Sequence, residues 1–231
     1  MTKLIIEGPN KLSGTIEISG AKNSVVALIP AAILCDDEVT IDNVPDITDT
    51  RALLEILNLL NAQYKYENNL LSIDTSAVEN KIIEEALAKK LRASYYFMGS
   101  LLSKYHHVEM YFPGGCKIGK RPIDYHIKGF EALGATVKID GDKYIIDAPE
   151  LNGADITFDF PSVGATINIM LATVKANGQT RIFNAAKEPE IVNIADFLKS
   201  MGAKIKGAGT DTITITGVKK LSKGHIYTIP D

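Results

Sequence analysis

Three short stretches decide how this chain folds: Leu60-Asn61-Ala62-Gln63-Tyr64, Leu133-Gly134-Ala135-Thr136-Val137 and Met201-Gly202-Ala203-Lys204-Ile205. Each is followed by a second alternating run, Leu70-Leu71-Ser72-Ile73, Tyr144-Ile145-Ile146-Asp147 and Thr212-Ile213-Thr214-Ile215. The three alanines stand 73 and 68 positions apart, the mark of an internal repeat of about seventy residues.

Each copy makes local sense. Apolar residues at helical spacing precede it: Leu53, Leu54, Leu57 and Leu60; Ile127, Phe130 and Leu133; Ile194, Phe197, Leu198 and Met201. The helices stop at Asn61, Gly134 and Gly202, the residue types that best accept a left-handed backbone after a helix. Asn68-Asn69, Asp140-Gly141-Asp142 and Gly207-Ala208-Gly209 then join the two β segments into hairpins. An earlier helix and strand complete each unit: Val25 to Leu34 with Val39 to Ile41, Ser94 to Leu102 with Val108 to Tyr111, and Ile167 to Val174 with Thr180 to Phe183. The expectation is an α/β (α+β) domain over residues 21–229, with units near 21–90, 91–155 and 156–218. None of these units buries its apolar faces alone, so helices should lie inside and sheets outside. Three ordinary α/β segments with coincidental spacing are the alternative.

Composition fits that picture. The 231 residues are 45% apolar and 23% charged with a net charge of −3, an ordinary globular balance that argues against disorder and against general nucleic-acid binding. The longest uncharged apolar stretch, Ser24 to Cys35, is far below the roughly 20 residues that span a bilayer, and Met1 to Gly8 has no signal-peptide core. A cytoplasmic protein without a membrane partner is expected. The chain stops at Ile229-Pro230-Asp231, directly after a strand-like run.

The repeat also locates the chemistry. At one fixed distance upstream of Ala62, Ala135 and Ala203 stand Asn43, Cys116 and Asn184, so a cysteine occupies a loop position where the sister units carry asparagine. Around it, Pro113-Gly114-Gly115-Cys116-Lys117-Ile118-Gly119-Lys120-Arg121-Pro122 holds three glycines, and three cations lie within five residues of the thiol. Nearby positive charge favours thiolate and marks a reactive cysteine, although a glycine-rich loop can be a plain turn. Cys35 ends an apolar run and reads as core.

The first helix of each unit starts at Gly20-Ala21-Lys22-Asn23, Leu91-Arg92-Ala93-Ser94 and Ser162-Val163-Gly164-Ala165-Thr166. Free N–H groups and the positive dipole end make helix N-termini natural anion sites. Lys22, Arg92 and Arg121 would reinforce them in a pocket for phosphate or carboxylate groups. His106-His107 has no companion at metal-ligand spacing, so no metal is assigned, and the Walker and dinucleotide glycine patterns are absent. Glu84-Glu85 and Lys89-Lys90 read as a solvated helical face, with Glu85 and Lys89 one turn apart.

The run Pro113-Gly114-Gly115-Cys116-x-Ile118-Gly119-x-Arg121-Pro122-x-Asp124-x-His126, with Gly20 to Asn23 before it and Ser162 to Thr166 after it, resembles the UDP-N-acetylglucosamine enolpyruvyl transferases of peptidoglycan synthesis. The similarity extends along the chain, including Glu188-Pro189-Glu190-Ile191-Val192 and Gly209-Thr210-Asp211. That family implies a pair of inside-out α/β barrel domains of three units each, and no cofactor. It also implies a chemistry in which the sugar 3′-hydroxyl adds to C2 of phosphoenolpyruvate, C3 is protonated and phosphate leaves. By the same resemblance Cys116 is the general acid, and Lys22, Asn23 and Arg121 hold phosphoenolpyruvate. Asn23, Arg92, Arg121, Pro122, Ile123, Asp124, Tyr125, Ser162, Val163 and Gly164 line the nucleotide-sugar site.

Members of that family are about twice as long. Residues 1–20, with Leu4 to Glu7 and Thr15 to Ile18 as strands, would belong to a second domain, which would also bring the base for the sugar hydroxyl and the arginines that close over phosphoenolpyruvate. Two further readings stand beside the catalytic half. One is a non-catalytic module that binds the nucleotide sugar. The other is the related shikimate-pathway transferase, against which the cysteine loop argues.

Overall fold

A computed structural model describes residues 3–114 and 123–231. The elements follow the sequence periodicities closely. Helix α1 (Lys22–Ala32) leads to strand β1 (Glu38–Asp42), helix α2 (Thr48–Leu59) and the hairpin β2 (Gln63–Glu67) and β3 (Leu70–Asp74). A short α3 (Glu85–Ala88) and a 3-10 turn (Arg92–Tyr95) then introduce α4 (Tyr96–Tyr105), β4 (His107–Tyr111), α5 (Asp124–Ala132) and the hairpin β5 (Thr136–Asp140) and β6 (Lys143–Asp147). Strand β7 (Asp155–Thr157), α6 (Val163–Thr173), β8 (Gln179–Phe183), α7 (Pro189–Ser200), β9 (Lys204–Lys206), β10 (Thr212–Thr216) and β11 (Gly224–Tyr227) complete the chain.

The helix ends behave as their residues demand. Asn61, Gly134 and Gly202 have φ of 63°, 97° and 106°, and both residues of the Asn68-Asn69 turn are left-handed, as a two-residue hairpin requires. Helices α1, α4 and α6 are apolar all round, and they are buried along almost their whole length, as such helices must be. They pack on one another, α4 on both α1 and α6, while α2, α5 and α7 bury one face each. Phe97, Phe130 and Phe197, one from each of α4, α5 and α7, are fully buried in this shared core.

Among the described residues the strands form three sheets. Their orders are β11-β1-β3-β2, β4-β6-β5 and β7-β8-β10-β9. In the first and last, the pairing with β1 or β8 at the edge is parallel and the rest is antiparallel. Among the described residues the middle sheet has a single parallel bridge, Ile83 to Met110, at the matching place.

Three details depart from the sequence reading. The helix read from Ser94 begins as a 3-10 turn at Arg92, where Ser94 Oγ lies 2.9 Å from both Ala88 O and Leu91 O and shares its one proton between them. Leu4 to Glu7 and Thr15 to Ile18 are not strands: residues 3–19 carry no regular element, since no described backbone lies alongside to complete a ladder. Leu4 and Leu12 are accordingly 87% and 93% exposed. The terminal run returns to the first sheet, where β11 lies parallel to β1, and Ala21 N donates to Ile229 O at 2.7 Å beside the start of α1. Among the described residues no helix is long and apolar enough to cross a membrane.

Candidate functional site

Helix N-termini converge on one cavity of about 1200 Å³. Lys22 and Asn23 come from the first turn of α1, Asp49 from α2, Arg92 and Tyr95 from the 3-10 turn, and Tyr96 from the start of α4. Asp124, Tyr125, His126 and Lys128 come from α5, Ser162, Val163 and Gly164 from the cap and first turn of α6, and Glu190 from α7. Each N-terminus presents amides without intrahelical acceptors and a positive dipole end, so their fields add in the cavity. Ser162 takes up part of this at α6, its Oγ accepting from Ala165 N at 3.4 Å.

The structure therefore brings together Lys22, Asn23, Arg92, Asp124, Tyr125, Ser162, Val163 and Gly164. Ile123 does not line the cavity. It is 6% exposed and its side chain joins the core, while its carbonyl accepts from His126 N at 2.9 Å to start α5. Cys116, Arg121 and Pro122 lie outside the described residues. The segment before them is anchored tightly: Gly114 N donates to Ala88 O at 3.0 Å, and a Cβ at Gly114 would fall 2.0 Å from Lys89 O, which only glycine avoids.

Several wall residues were not singled out from sequence. Lys22 is paired with Asp49, Nζ to Oδ1 3.3 Å, at the rim. Lys89 and Lys90 border the cavity as well, and both remain on the solvent-exposed face that the sequence spacing indicates. Glu85 holds Lys89, and Glu55 holds Lys90.

Aromatic rings shape the floor. The Arg92 guanidinium sits 5.6 Å from the Tyr95 ring centre, and Tyr95 meets Tyr96 and His126 edge-on at 4.6 and 4.7 Å. Tyr125 meets Phe160 edge-on at 5.0 Å, carries Lys128 over its face at 5.8 Å, and donates to Asp159 Oδ2 at 3.2 Å. Burial above all, and then the neighbouring Tyr95, hold the Tyr96 hydroxyl well above its ordinary range, so it stays neutral. Burial and the charge of Arg92 pull the His126 imidazole down from 6.5 to about 3. His126 stood inside the cysteine-loop motif, but nothing in its spacing told that it would be buried at the wall.

Elsewhere the thiol of Cys35 is fully buried and its pKa is raised by that burial. His107 pairs with Asp147 at 2.6 Å, and no group of three or more metal-ligating side chains exists among the described residues.

A protein-family model described as EPSP synthase (3-phosphoshikimate 1-carboxyvinyltransferase) matches residues 6–231. The chain belongs to the EPSP synthase family. Within that family its similarity points one way. It is 53% identical, over 99% of its length, to UDP-N-acetylglucosamine 1-carboxyvinyltransferase 2 of Listeria innocua, and covers 54% of that protein. It is 52% identical over 100% of its length to UDP-N-acetylglucosamine 1-carboxyvinyltransferase 3 of Caldanaerobacter subterraneus, covering 55%, and 52% identical to UDP-N-acetylglucosamine 1-carboxyvinyltransferase of Streptococcus pneumoniae, covering 56%. The chain thus spans about half the length of the curated relatives it matches.

Among solved structures of the EPSP synthase fold, the enolpyruvyl transferase NikO from Streptomyces tendae superposes with a TM-score of 0.84 at 24% identity, over 97% of this chain and 53% of that one. EPSP synthase from Acinetobacter baumannii superposes with 0.75 at 18% identity, over 94% and 50%. These two likenesses concern the fold.

Proposed function

We propose that this chain is the half of an enolpyruvyl transferase that binds the nucleotide sugar and phosphoenolpyruvate. The observation that carries the reading is the cavity ringed by helix N-termini, in which Lys22, Asn23, Arg92 and Ser162–Gly164 meet. Two multiply charged anionic substrates need such a wall, because amide dipoles and fixed cations offset their phosphate and carboxylate charges without prior reorganisation. The 52–53% identical relatives, all named for UDP-N-acetylglucosamine, favour that acceptor over a shikimate.

In this reading the sugar 3′-hydroxyl adds to C2 of phosphoenolpyruvate while C3 takes a proton, and elimination of phosphate leaves the enolpyruvyl ether. Cys116 is the acid for C3, and Lys22 with Arg121 neutralises phosphoenolpyruvate. Asp124, Tyr125 and the first turn of α6 receive the nucleotide. The three-unit, inside-out arrangement belongs to the same proposal: α1, α4 and α6 form the centre, each followed by a strand, an amphipathic helix and a hairpin. It accounts for the matching orders of the first and last sheets and for the lone parallel bridge of the middle one. Turnover requires a base for the sugar hydroxyl and a closing lid, which the family resemblance assigns outside residues 1–231, so binding without turnover is expected of the chain alone.

The test is a competitive titration of the 231-residue chain with UDP-N-acetylglucosamine and 3-phosphoshikimate. Saturable uptake of the nucleotide sugar, undisturbed by the shikimate, is expected; preference for the shikimate would overturn the assignment.

A further inference from the structure

Arg92 and Tyr95 are the first and last residues of the 3-10 turn that leads into α4. Residues three apart eclipse one another in a 3-10 helix, whereas an α-helix sets them about 60° apart around its axis. The turn therefore stacks the two side chains. The Arg92 guanidinium sits 5.6 Å from the Tyr95 ring centre, within the range of a cation–π contact.

The ring is fixed in turn by what surrounds it. It meets Tyr96 and His126 edge-on, at interplanar angles of 70° and 69°. Its hydroxyl lies against the first turn of α6, where a Cβ on Gly164 would stand 2.6 Å from Tyr95 Oη, so glycine leaves the notch into which the phenol fits. One turn further along α6, Asn168 Nδ2 donates to the Tyr95 carbonyl at 2.9 Å and lies 2.9 Å from His126 Nδ1. The Oδ1 of the same amide accepts from Gly99 N at 2.8 Å, and a Cβ on Gly99 would stand 2.4 Å from that oxygen. Gly164 and Asn168, four positions apart, share one face of α6, and that face locates both the ring and the backbone of Tyr95.

We infer that Tyr95 is a positioning residue for this site: its ring, eclipsed with Arg92 by the 3-10 turn and seated in the Gly164 notch, fixes where the Arg92 guanidinium stands at the cavity wall. The inference rests on the reading proposed above for the anion that Arg92 meets, while the stacking itself stands on the turn and on α6. Arginine is rich in rotamers, so a guanidinium held before the ligand arrives spares binding the cost of ordering it. A ring also holds the guanidinium without neutralising it, unlike the carboxylate that Asp49 sets against Lys22.

The experiment is nitrogen–proton NMR of the arginine-labelled 231-residue chain, with titrations of UDP-N-acetylglucosamine into the parent, Tyr95→Phe, Tyr95→Leu, Arg92→Ala and the Tyr95→Leu, Arg92→Ala pair. The Arg92 Nε–H signal, identified by its loss in Arg92→Ala, should lie at high field in the parent and in Tyr95→Phe, because the ring current shields it. In Tyr95→Leu it should return to the position of an unstacked arginine. Tyr95→Leu should weaken the nucleotide sugar about threefold to tenfold, the scale of a partly desolvated cation–π contact. Tyr95→Phe, which keeps the ring, should stay within about twofold of the parent. In the Arg92→Ala background, Tyr95→Leu should change the affinity by less than about twofold, because its effect passes through the guanidinium.

An unshifted Arg92 signal in the parent would overturn the inference before any variant is made. So would a folded Tyr95→Leu that binds as the parent does, or one that loses as much affinity with Arg92 absent as with it present. Each of these results leaves the proposed function standing. A shielded Arg92 signal in a chain that ignores UDP-N-acetylglucosamine would support the stacking and refute the nucleotide-sugar reading.

Discussion

Lowering the pH from 7 to 5 should cost the fold about 2 kcal/mol through a single side chain, His126. Burial first, and then the charge of Arg92, lower its pKa from 6.5 to about 3 in the folded chain. The unfolded chain exposes the imidazole and takes up its proton near pH 6.5, so between about 6.5 and 3 the unfolded state binds more protons. Stability from this group is complete above the unfolded value and is lost as pH falls. At pH 7 the unfolded imidazole is roughly a quarter protonated and at pH 5 nearly fully so, and the integral between them is about 2 kcal/mol. For a chain of this size that is a fall in Tm of about 4 to 8 °C.

Carboxylates held low by their partners, Asp36 by Lys104 and Lys175 and Glu109 by Lys143, act mainly below this window, as pH falls past their unfolded values near 4. His106, His107 and His225 are present in both parent and variant and drop out of the difference. The assay is thermal melting from pH 7 to 5 of the parent chain and of His126→Gln. The parent should lose about 4 to 8 °C more than the variant over that range. Parallel pH profiles would refute the claim that His126 is buried neutral against Asn168.

Other outcomes follow from the same packing. Gly99→Ala should destabilise the chain by about 1–3 kcal/mol in chemical denaturation, because the new methyl meets Asn168 O and Oδ1. Phe130→Ala, which empties a fully buried site between α5 and the core, should cost about 3–5 kcal/mol in the same assay. Lys104, whose Nζ donates to Ile33 O and Cys35 O at 2.9 Å and pairs with Asp36, closes the C-terminal end of α1; Lys104→Met should cost about 1–3 kcal/mol. Arg92→Ala should leave the melting temperature within a few degrees of the parent while weakening UDP-N-acetylglucosamine at least about tenfold, read by titration.

How much of this was legible in the sequence depends on how local the cause is. Asn61, Gly134 and Gly202 end their helices in the left-handed backbone that their residue types announce, and Asn68-Asn69 makes the turn it spells. Apolar runs without polar faces, as in Ser24 to Cys35, are buried helices because nothing else satisfies them. Lys22, Arg92 and Ser162–Gly164 met in one cavity because all three mark the same end of their helices. What stayed hidden depends on distant partners. The parallel pairing of β11 with β1 joins residues 185 positions apart, as Val39 with Gly224, which no periodicity reveals. Leu4 to Glu7 is an apolar run that reads as a strand and has no ladder to join among the described residues. Lys89 and Lys90 are the surface charges they look like, and only the fold shows that they also border the cavity, just as His126 meets Asn168 only through the packing of α5 on α6.

The central claim, that the ring of helix N-termini is a nucleotide-sugar site, is tested most directly by amide NMR of the 231-residue chain titrated with UDP-N-acetylglucosamine. The account predicts saturable shifts concentrated at Asn23, Arg92, Tyr125 and Ser162–Gly164, on the first turns that line the cavity. Spectra unchanged at saturating ligand, or shifts confined to the outer sheets, would contradict it.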